Sequence, residues 1–171
     1  MYNKNIKLII AGLITAWAVF EFSQGNIWSG IFILLLAGIF VLLYYKNEFL
    51  LMSFLRMRKQ DFVGAEKWLN KIKNPEKALV KKQQGYYNFL KGIMTSQRNL
   101  TQAEKYFRKA VNLGMSMDHD LAMAKLQLAG IAMAKRRKRE ATMLMNEAKK
   151  LDKHGMLKDQ IAQLKQQMKR M

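Results

Sequence analysis

The chain has 171 residues, of which 30 are Lys or Arg and 12 are Asp or Glu, giving a formal net charge of +18, and it contains no Cys and two His. The absence of Cys excludes disulfides, thiolate nucleophiles and Cys-based zinc or iron–sulfur sites, and two isolated His seldom form a metal centre. Half of the residues are apolar, which is typical of a folded chain. We therefore expect an ordered protein without a metal or cofactor.

The N-terminal 45 residues differ in composition from the rest of the chain. They hold only three charged residues: Lys4, Lys7 and Glu21. The remaining 126 residues therefore carry +17 of the net charge. Ile6–Phe22 is apolar except near its ends, and Ile27–Tyr45 carries no charge. Each stretch is close to the roughly 20 residues that a helix needs to cross a bilayer. Residues 1–45 are predicted to form a transmembrane helical hairpin.

Basic residues flank the outer ends of the two spans and are absent from the turn between them: Lys4, Lys7, Lys46, Arg56, Arg58 and Lys59. Both ends are therefore predicted to face the cytoplasm, as in a two-pass protein of the inner (plasma) membrane. A cleaved signal peptide is the alternative for the first span. No small-residue cleavage site follows Phe22, which favours the hairpin.

Several residues of the hairpin carry finer predictions. Trp28, Tyr44 and Tyr45 lie where aromatic rings favour the headgroup level, and the small residues Gly12 and Ala16 are candidates for close helix contact. Glu21, at the outer end of its span, is interpreted as solvated rather than as a proton relay. No Gly falls between Gly38 and Gly64, so the second span is predicted to continue as one helix over Ile27–Lys59.

Three later segments align at a constant spacing along the chain. A small residue recurs at Ala65, Ala103 and Ala141, and a bulky residue follows four positions later at Leu69, Phe107 and Met145. Another helical stretch precedes each segment, over residues 46–59, 82–96 and 121–134. The repeating unit is therefore predicted to be helix, short turn, helix.

This pattern resembles the tetratricopeptide repeat family, in which a small residue of the first helix packs on a small residue early in the second. Gly92 and Ala129 match the first-helix position, and Ser53 occupies it less typically. The spacing is longer than the period of about 34 residues that the family shows, and only Pro75 matches the proline that usually follows the second helix. The resemblance covers residues 46–153. It implies an all-α chain with a solenoid of about three helix pairs over residues 46–155.

Local signals place the helix ends. Thr101 and Glu104 have the spacing of a capping box, and Asp61, Asp118 and Asp120 are candidate N-caps. Apolar residues recur at 157, 161, 164, 168 and 171, which predicts that residues 156–171 form an amphipathic capping helix.

The resemblance also implies a concave surface lined by the first helices of the repeats. Helical phase assigns ten residues to this face, most of them apolar: Leu50, Phe54, Met57, Tyr86, Phe89, Leu90, Ile93, Met123, Gln127 and Met133. Such a surface suits a hydrophobic segment of a protein partner. Docking of acidic chaperone tails is not expected, because the Lys, Asn and Arg that it requires are mostly missing. The alternative is that three short repeats bury these residues against one another or under the last helix.

Basic residues cluster in two of the predicted repeat turns: Arg56, Arg58 and Lys59 in the first unit, and Lys135, Arg136, Arg137, Lys138 and Arg139 in the third. Stacked turns would align these clusters along one edge of the solenoid. A solvated face is the usual reading of a charge run, but +17 on 126 residues exceeds what solubility requires. The partner is predicted to be anionic: RNA, acidic lipid headgroups or an acidic protein.

No catalytic or cofactor motif accompanies these features, and His119 and His154 are predicted to lie exposed in inter-helix turns. The sequence predicts a non-enzymatic, membrane-anchored adaptor for a protein or ribonucleoprotein assembly, the sharpest example being a ribosome at a protein-export or insertion channel. The alternative is a small structural subunit of a membrane complex whose basic domain lies on anionic lipids.

Overall fold

The computed structural model describes the backbone of residues 4–45 and 47–170, and the side chains of residue 6, residues 8–42 and residues 47–170. Every regular element in these ranges is a helix, which confirms the all-α prediction. The helices are α1 (Lys4–Ser23), α2 (Ile27–Tyr45), α3 (Glu48–Arg58), α4 (Phe62–Asn70), α5 (Pro75–Ala78), α6 (Lys81–Ser96), α7 (Leu100–Leu113), α8 (Asp118–Ala134), α9 (Lys138–Leu151) and α10 (Lys158–Lys169).

The chain divides into two compact units, Met1–Gln83 and Gln84–Met171. This boundary lies within α6, whereas the sequence suggested a boundary at residue 45. Five side chains used to predict orientation and interfacial anchoring lie outside the described side chains: Lys4, Lys7, Tyr44, Tyr45 and Lys46. Met171 of the predicted terminal helix also lies outside the described residues.

Helices α1 and α2 pack together as a hairpin. Gly25 closes the turn with a φ of 80°, a conformation that favours glycine. The buried contact residues are Ala11, Ala18, Gly30 and Ala37. The prediction that Gly12 and Ala16 allow the close approach was therefore wrong, because both are exposed and a Cβ on Gly12 would meet nothing within 4 Å.

Glu21 takes part in the hairpin turn. Its carboxylate accepts hydrogen bonds from the Trp17 indole N–H at 3.3 Å and from the Asn26 amide at 3.0 Å. In the part of the chain with described side chains, no helix is at once long enough and apolar enough to cross a membrane. The transmembrane placement of the hairpin thus stays a prediction.

The predicted continuous helix over Ile27–Lys59 is interrupted at Asn47, which is not helical. Asn47 adopts an extended conformation and caps α3, its side-chain oxygen accepting the backbone N–H groups of Phe49 at 3.1 Å and Leu50 at 3.3 Å. Asn is among the best N-cap residues because its side chain replaces a missing backbone acceptor. A strong cap therefore starts a new helix where the absence of Gly and Pro suggested continuity.

The helix ends follow the spacing predicted from the sequence. The first helices of the three pairs end at Arg58, Ser96 and Ala134. The second helices begin at Phe62, Leu100 and Lys138. Both sets of positions have the same constant spacing as the small residues Ala65, Ala103 and Ala141. Each pair is joined by three residues. The described chain therefore contains three helix–turn–helix pairs, α3/α4, α6/α7 and α8/α9, within a helical repeat-like architecture.

Small residues occupy the contacts within these pairs. The Ser53 hydroxyl donates to the Ala65 carbonyl at 2.9 Å in the first pair. A Cβ on Gly92 would lie 2.7 Å from the Phe107 ring in the second. Ala129 and Ala141 are both fully buried in the third. The small residues singled out from the sequence thus lie in the buried interior.

The caps agree only in part with the sequence predictions. Asp61 caps α4 as predicted, its carboxylate accepting the Gly64 N–H at 2.8 Å. Asn99 caps α7 by accepting the Gln102 N–H at 3.0 Å. The predicted Thr101–Glu104 capping box was wrong, because Asn99 already occupies the cap. Asp118 and Asp120 lie in the first turn of α8, whose N-cap is Met117.

The second unit has its own apolar core, formed by α6 to α9 and covered in part by α10. Leu157 and Ile161 are buried in it, and Leu164 and Met168 pack against it. These are the positions that the apolar pattern of the terminal segment predicted. The last helix therefore covers apolar residues of the repeats, as a capping helix does.

Candidate anionic-partner surface

The predicted cluster Lys135–Arg139 is divided by the structure into paired and free cations. The Lys135 ammonium lies 2.8 Å from a Glu104 carboxylate oxygen, and the Arg137 guanidinium lies 2.7 Å from the same oxygen. Arg137 also pairs with Glu140 at 2.8 Å. Two of the five predicted contact residues thus neutralise internal carboxylates.

Arg108 of α7 completes this network by pairing with both carboxylates, at 2.7 Å from Glu104 and in close contact with Glu140. Burial alone would raise the pKa of Glu104, but hydrogen bonds from Arg137, Lys135 and Arg108 outweigh it and lower that pKa to about 2. The carboxylate is therefore ionised at neutral pH. It links α7 to the turn between α8 and α9.

Free positive charge lies on the solvent side of α9. Four exposed cations lie on one arc of this helix, and none forms an ion pair with a described carboxylate: Lys138, Arg139, Lys149 and Lys150. Thr142, Met143 and Asn146, also exposed, lie among them. We call these seven residues the α9 basic face.

Acidic residues of α9 lie outside this face. Glu140 pairs with Arg108 and Arg137, and Glu147 pairs with Lys125 of α8. The α9 basic face therefore presents cations without interspersed carboxylates. Lys138 and Arg139 were predicted to lie in the turn, but they are the first two residues of α9, and the prediction did not include Lys149 and Lys150. A projection of α9 at 3.6 residues per turn would have found them, since both pairs of cations fall on one side.

The first unit carries a smaller group of cations at the turn between α3 and α4. Arg56 pairs with Asp61 at 3.0 Å, although both side chains are exposed. Arg58 and Lys59 are exposed without an ion pair to a described carboxylate. The prediction that this group and Lys135–Arg139 share one edge of a solenoid stays a prediction.

The ten residues assigned to a concave groove differ widely in burial. Leu50, Phe89, Leu90 and Met133 are buried, and only Gln127 is exposed. The other five are half-buried: Phe54, Met57, Tyr86, Ile93 and Met123. Phe89 belongs to the core of the second unit, and Met133 lies in a cluster against which Leu164 and Met168 of α10 pack. Much of this face is therefore packed inside the protein.

Tyr86 shows how the polar residues of this face are used. Its hydroxyl donates to the Asp120 carboxylate at 2.6 Å. Burial and this hydrogen bond raise the pKa of Tyr86 to about 12. The phenol therefore stays protonated at neutral pH and joins α6 to α8.

The two histidines lie in different environments. His154 is exposed in the turn after α9, as predicted. His119 instead lies in the first turn of α8, half-buried, with Nδ1 3.9 Å from an Asp152 oxygen and without a hydrogen-bond partner in the described chain. No group of three or more metal-binding side chains occurs among the described residues.

The chain matches no protein-family model, no curated protein and no solved structure. The resemblance to tetratricopeptide repeats therefore rests on the residue pattern alone.

Proposed function

We propose that the chain is a non-enzymatic, membrane-anchored adaptor of tetratricopeptide-like repeats that presents the α9 basic face to a ribonucleoprotein assembly. The hairpin would anchor it in the inner (plasma) membrane with both ends cytoplasmic. A ribosome at a protein-export or insertion channel is the sharpest candidate, because it joins an RNA surface to a membrane partner. A repeat scaffold acts through what it holds, so the surface defines the proposed activity.

The observation that carries the proposal is the unpaired charge of the α9 basic face. Lys138 and Lys149 are separated by 11 helical residues, roughly 16 Å at 1.5 Å per residue. Polyanionic backbones bind such cations by releasing condensed counterions, without a base-specific motif. RNA recognised by charge and shape fits this face.

The apolar surface of the hairpin supports the membrane anchor. Many large apolar side chains point outward, among them Leu13, Trp17, Phe32 and Leu35. Such a surface is costly in water, and lipid is the solvent that removes the cost. The 19 uncharged residues of α2 extend about 28 Å, against a hydrocarbon core of about 30 Å.

Binding of labelled RNA to the detergent-solubilised full chain, measured over a range of salt concentrations, tests the proposal. Four phosphate contacts give a slope of log affinity against log salt of about −3 for single strands. Replacing Lys138, Arg139, Lys149 and Lys150 by Gln should abolish most of this slope. The matched control replaces four exposed cations of the C-terminal segment with the same change of charge: Lys158, Lys165 and Lys169 of α10, and Arg170 directly after it.

An equal loss of RNA binding in both quadruple variants would contradict a site on α9 and indicate diffuse charge attraction. Absence of RNA binding at low salt, together with binding to anionic vesicles that depends on the α9 cations, would support the alternative of a structural subunit that lies on lipid. Recovery of ribosomal RNA with the wild-type chain but not with the α9 variant, from solubilised membranes at low salt, is the expected cellular result.

A further inference from the structure

Helix α3 is apolar on both of its sides. Leu50 and Ser53 are buried and Phe54 and Met57 are half-buried, and these residues form one face of the helix. The opposite face exposes Leu51, Met52 and Leu55, whose residue surfaces are 48%, 39% and 43% accessible. Apolar side chains that are exposed together on one helix face mark a surface that contacts protein or lipid. The outward face of α3 therefore requires a partner.

Exposed apolar residues continue at the start of α4. Phe62 and Val63 follow the three-residue turn, and Val63 is 68% accessible. The two residues lie at the same end of the helix pair as the cations Arg58 and Lys59. Apolar side chains and positive charge thus occur together at this turn.

The cations flank the exposed apolar residues of α3. At 100° per residue, Leu55 lies near the centre of the outward arc, with Arg56 on one side of it and Arg58 on the other. Lys59 follows in the turn. Glu48 is the acidic residue of this arc in the described chain, and it lies in the first turn, where the helix dipole favours a carboxylate. An apolar strip bordered by long basic side chains is typical of a helix that lies in a membrane interface.

The linkage to the hairpin restricts where α3 can lie. Only residues 46 and 47 separate Tyr45, the end of α2, from Glu48, the start of α3. Three Cα–Cα steps of 3.8 Å span at most about 11 Å. The headgroup layer of one leaflet is roughly 5 to 8 Å thick. If α2 ends at the cytoplasmic side of the bilayer, α3 therefore begins within reach of that leaflet.

We propose that α3 lies along the cytoplasmic surface of an anionic leaflet, with Leu51, Met52 and Leu55 at the boundary of the acyl chains and Arg56, Arg58 and Lys59 against the headgroups. This inference rests on the proposed membrane anchoring of the hairpin. The occupant of the outward face is lipid rather than protein, because the two-residue linkage holds the helix beside the bilayer and the flanking charge complements acidic headgroups. The basic face of α9 remains a separate surface in the other unit.

The absence of Cys from the chain permits a direct measurement of depth. Single cysteines are introduced by Leu55→Cys on the outward face of α3, Lys67→Cys on the exposed side of α4 and Leu35→Cys in the middle of α2. Each variant is labelled with an environment-sensitive fluorophore and reconstituted as the full chain into vesicles containing phosphatidylserine. Lipids that carry quenchers at shallow or deep positions report the depth of each probe.

The probe at position 55 should be quenched at least about twofold more than the probe at position 67. Shallow quenchers should act on it more than deep quenchers, because interfacial helices lie about 5 to 10 Å into the headgroup–acyl boundary. The probe at position 35 should be quenched by deep quenchers. Failure at position 35 overturns the membrane anchor itself. Quenching at 35 without quenching at 55 overturns only the placement of α3. If the fluorescence at position 55 changes with protein concentration but not with the lipid quenchers, a second copy of the chain covers this face. That result also overturns the placement of α3 on the membrane.

Charge provides the second arm of the test. Replacing Arg56, Arg58 and Lys59 by Gln should reduce the quenching at position 55 in anionic vesicles towards its value in phosphatidylcholine vesicles, because each cation near an acidic leaflet contributes about fivefold to binding. The matched control replaces Lys67, Lys73 and Lys77, three exposed cations of the same unit, by Gln. Equal effects of the two triple variants would contradict a specific role for the turn.

Discussion

Two residues other than glycine adopt a backbone conformation that usually requires glycine. Gln60 has a φ of 59° and Arg136 a φ of 58°, and they lie two repeat periods apart. In both turns the next residue donates its N–H to the carbonyl five residues earlier, at 3.0 Å for Asp61 and 2.8 Å for Arg137. This is the hydrogen bond that closes a helix through a left-handed residue. The repeat is thus visible in backbone torsions as well as in the spacing of small residues.

The left-handed conformation predicts that Gln60→Gly stabilises the protein. A side chain in this region costs about 1 kcal/mol relative to Gly, so the melting temperature should rise by about 2 to 4 °C. The control is Gln97→Gly, in the middle turn, where φ is not positive. That change should lower the melting temperature, because Gly there only adds freedom to the unfolded chain. Thermal unfolding of the full chain in detergent measures both, and equal shifts would contradict the explanation.

At the scale of helices, close packing depends on particular small residues. Gly92 places α6 against the Phe107 ring of α7, whereas Gly130 in α8 has no atom within 4 Å of where a Cβ would stand. The sequence does not distinguish the two glycines, yet packing requires only the one at position 92. The hairpin gives the same lesson, since Ala11 and Ala18 form its contact where Gly12 and Ala16 were expected.

We expect Gly92→Ala and Gly130→Ala to have opposite effects. The first should destabilise the second unit by about 1 to 3 kcal/mol, because the added methyl overlaps a buried ring. The second should stabilise it by about 0.5 to 1 kcal/mol, since Ala is the better helix former. Denaturant titration of the full chain measures the two changes. Loss of stability in both variants would show that α8 is more tightly packed at Gly130 than the structure indicates.

The Glu104 network predicts a defined pH dependence. A carboxylate whose pKa falls from 4.5 to about 2 on folding stabilises the folded state above pH 4.5, and this contribution is lost as the pH falls towards 2. The full shift corresponds to roughly 3 kcal/mol, and solvent around the half-exposed Arg108 and Lys135 lowers that amount. Glu104→Gln should be less stable than wild type at pH 7.

The difference in stability between wild type and Glu104→Gln should shrink between pH 4.5 and pH 2, because Glu104 becomes protonated and is then neutral, as Gln is at every pH. Denaturation midpoints at several pH values give the measurement, and Glu147→Gln serves as a comparison with a different cation partner, Lys125. If the difference in stability between the two proteins stays constant down to pH 2, Glu104 acts through packing rather than through its charge.

At the scale of the whole molecule, the excess of positive charge is the main electrostatic feature. The formal charge of +18 remains large after the local ion pairs, because seven acidic residues in Gln84–Met171 face eighteen basic ones. Repulsion among such charges opposes the compact state. An anionic partner would relieve it, and so would salt.

Raising the concentration of NaCl from about 10 mM to 150 mM shortens the Debye length from about 30 Å to 8 Å. We therefore expect the melting temperature of the full chain to rise over this range, because long-range repulsion is screened more than ion pairs at contact distance. Sucrose at equal osmolality controls for solute exclusion. A fall in melting temperature with salt would mean that the ion pairs outweigh the repulsion.

Much of the helical organisation follows from the sequence alone. The constant spacing of the repeats, the small residues at 92, 129 and 141 and the apolar pattern of the last helix are local signals, and the helix ends agree with them. These features depend on neighbouring residues in the chain or on a repeated spacing. They can therefore be recognised without coordinates.

The tertiary structure decided which side chains remain available to a partner. Lys135 and Arg137 belong to a basic run in the sequence, but folding places Glu104 beside them, 31 and 33 residues away along the chain. Lys149 and Lys150 have no ion pair with a described carboxylate: the neighbouring Glu147 pairs with Lys125, and Asp152 accepts backbone N–H groups of Met156 and Leu157. The charge of a surface depends on which opposite charges come into contact and which side of each helix is covered. Those pairings join distant segments, so composition and periodicity predict the amount of positive charge but not where it is exposed.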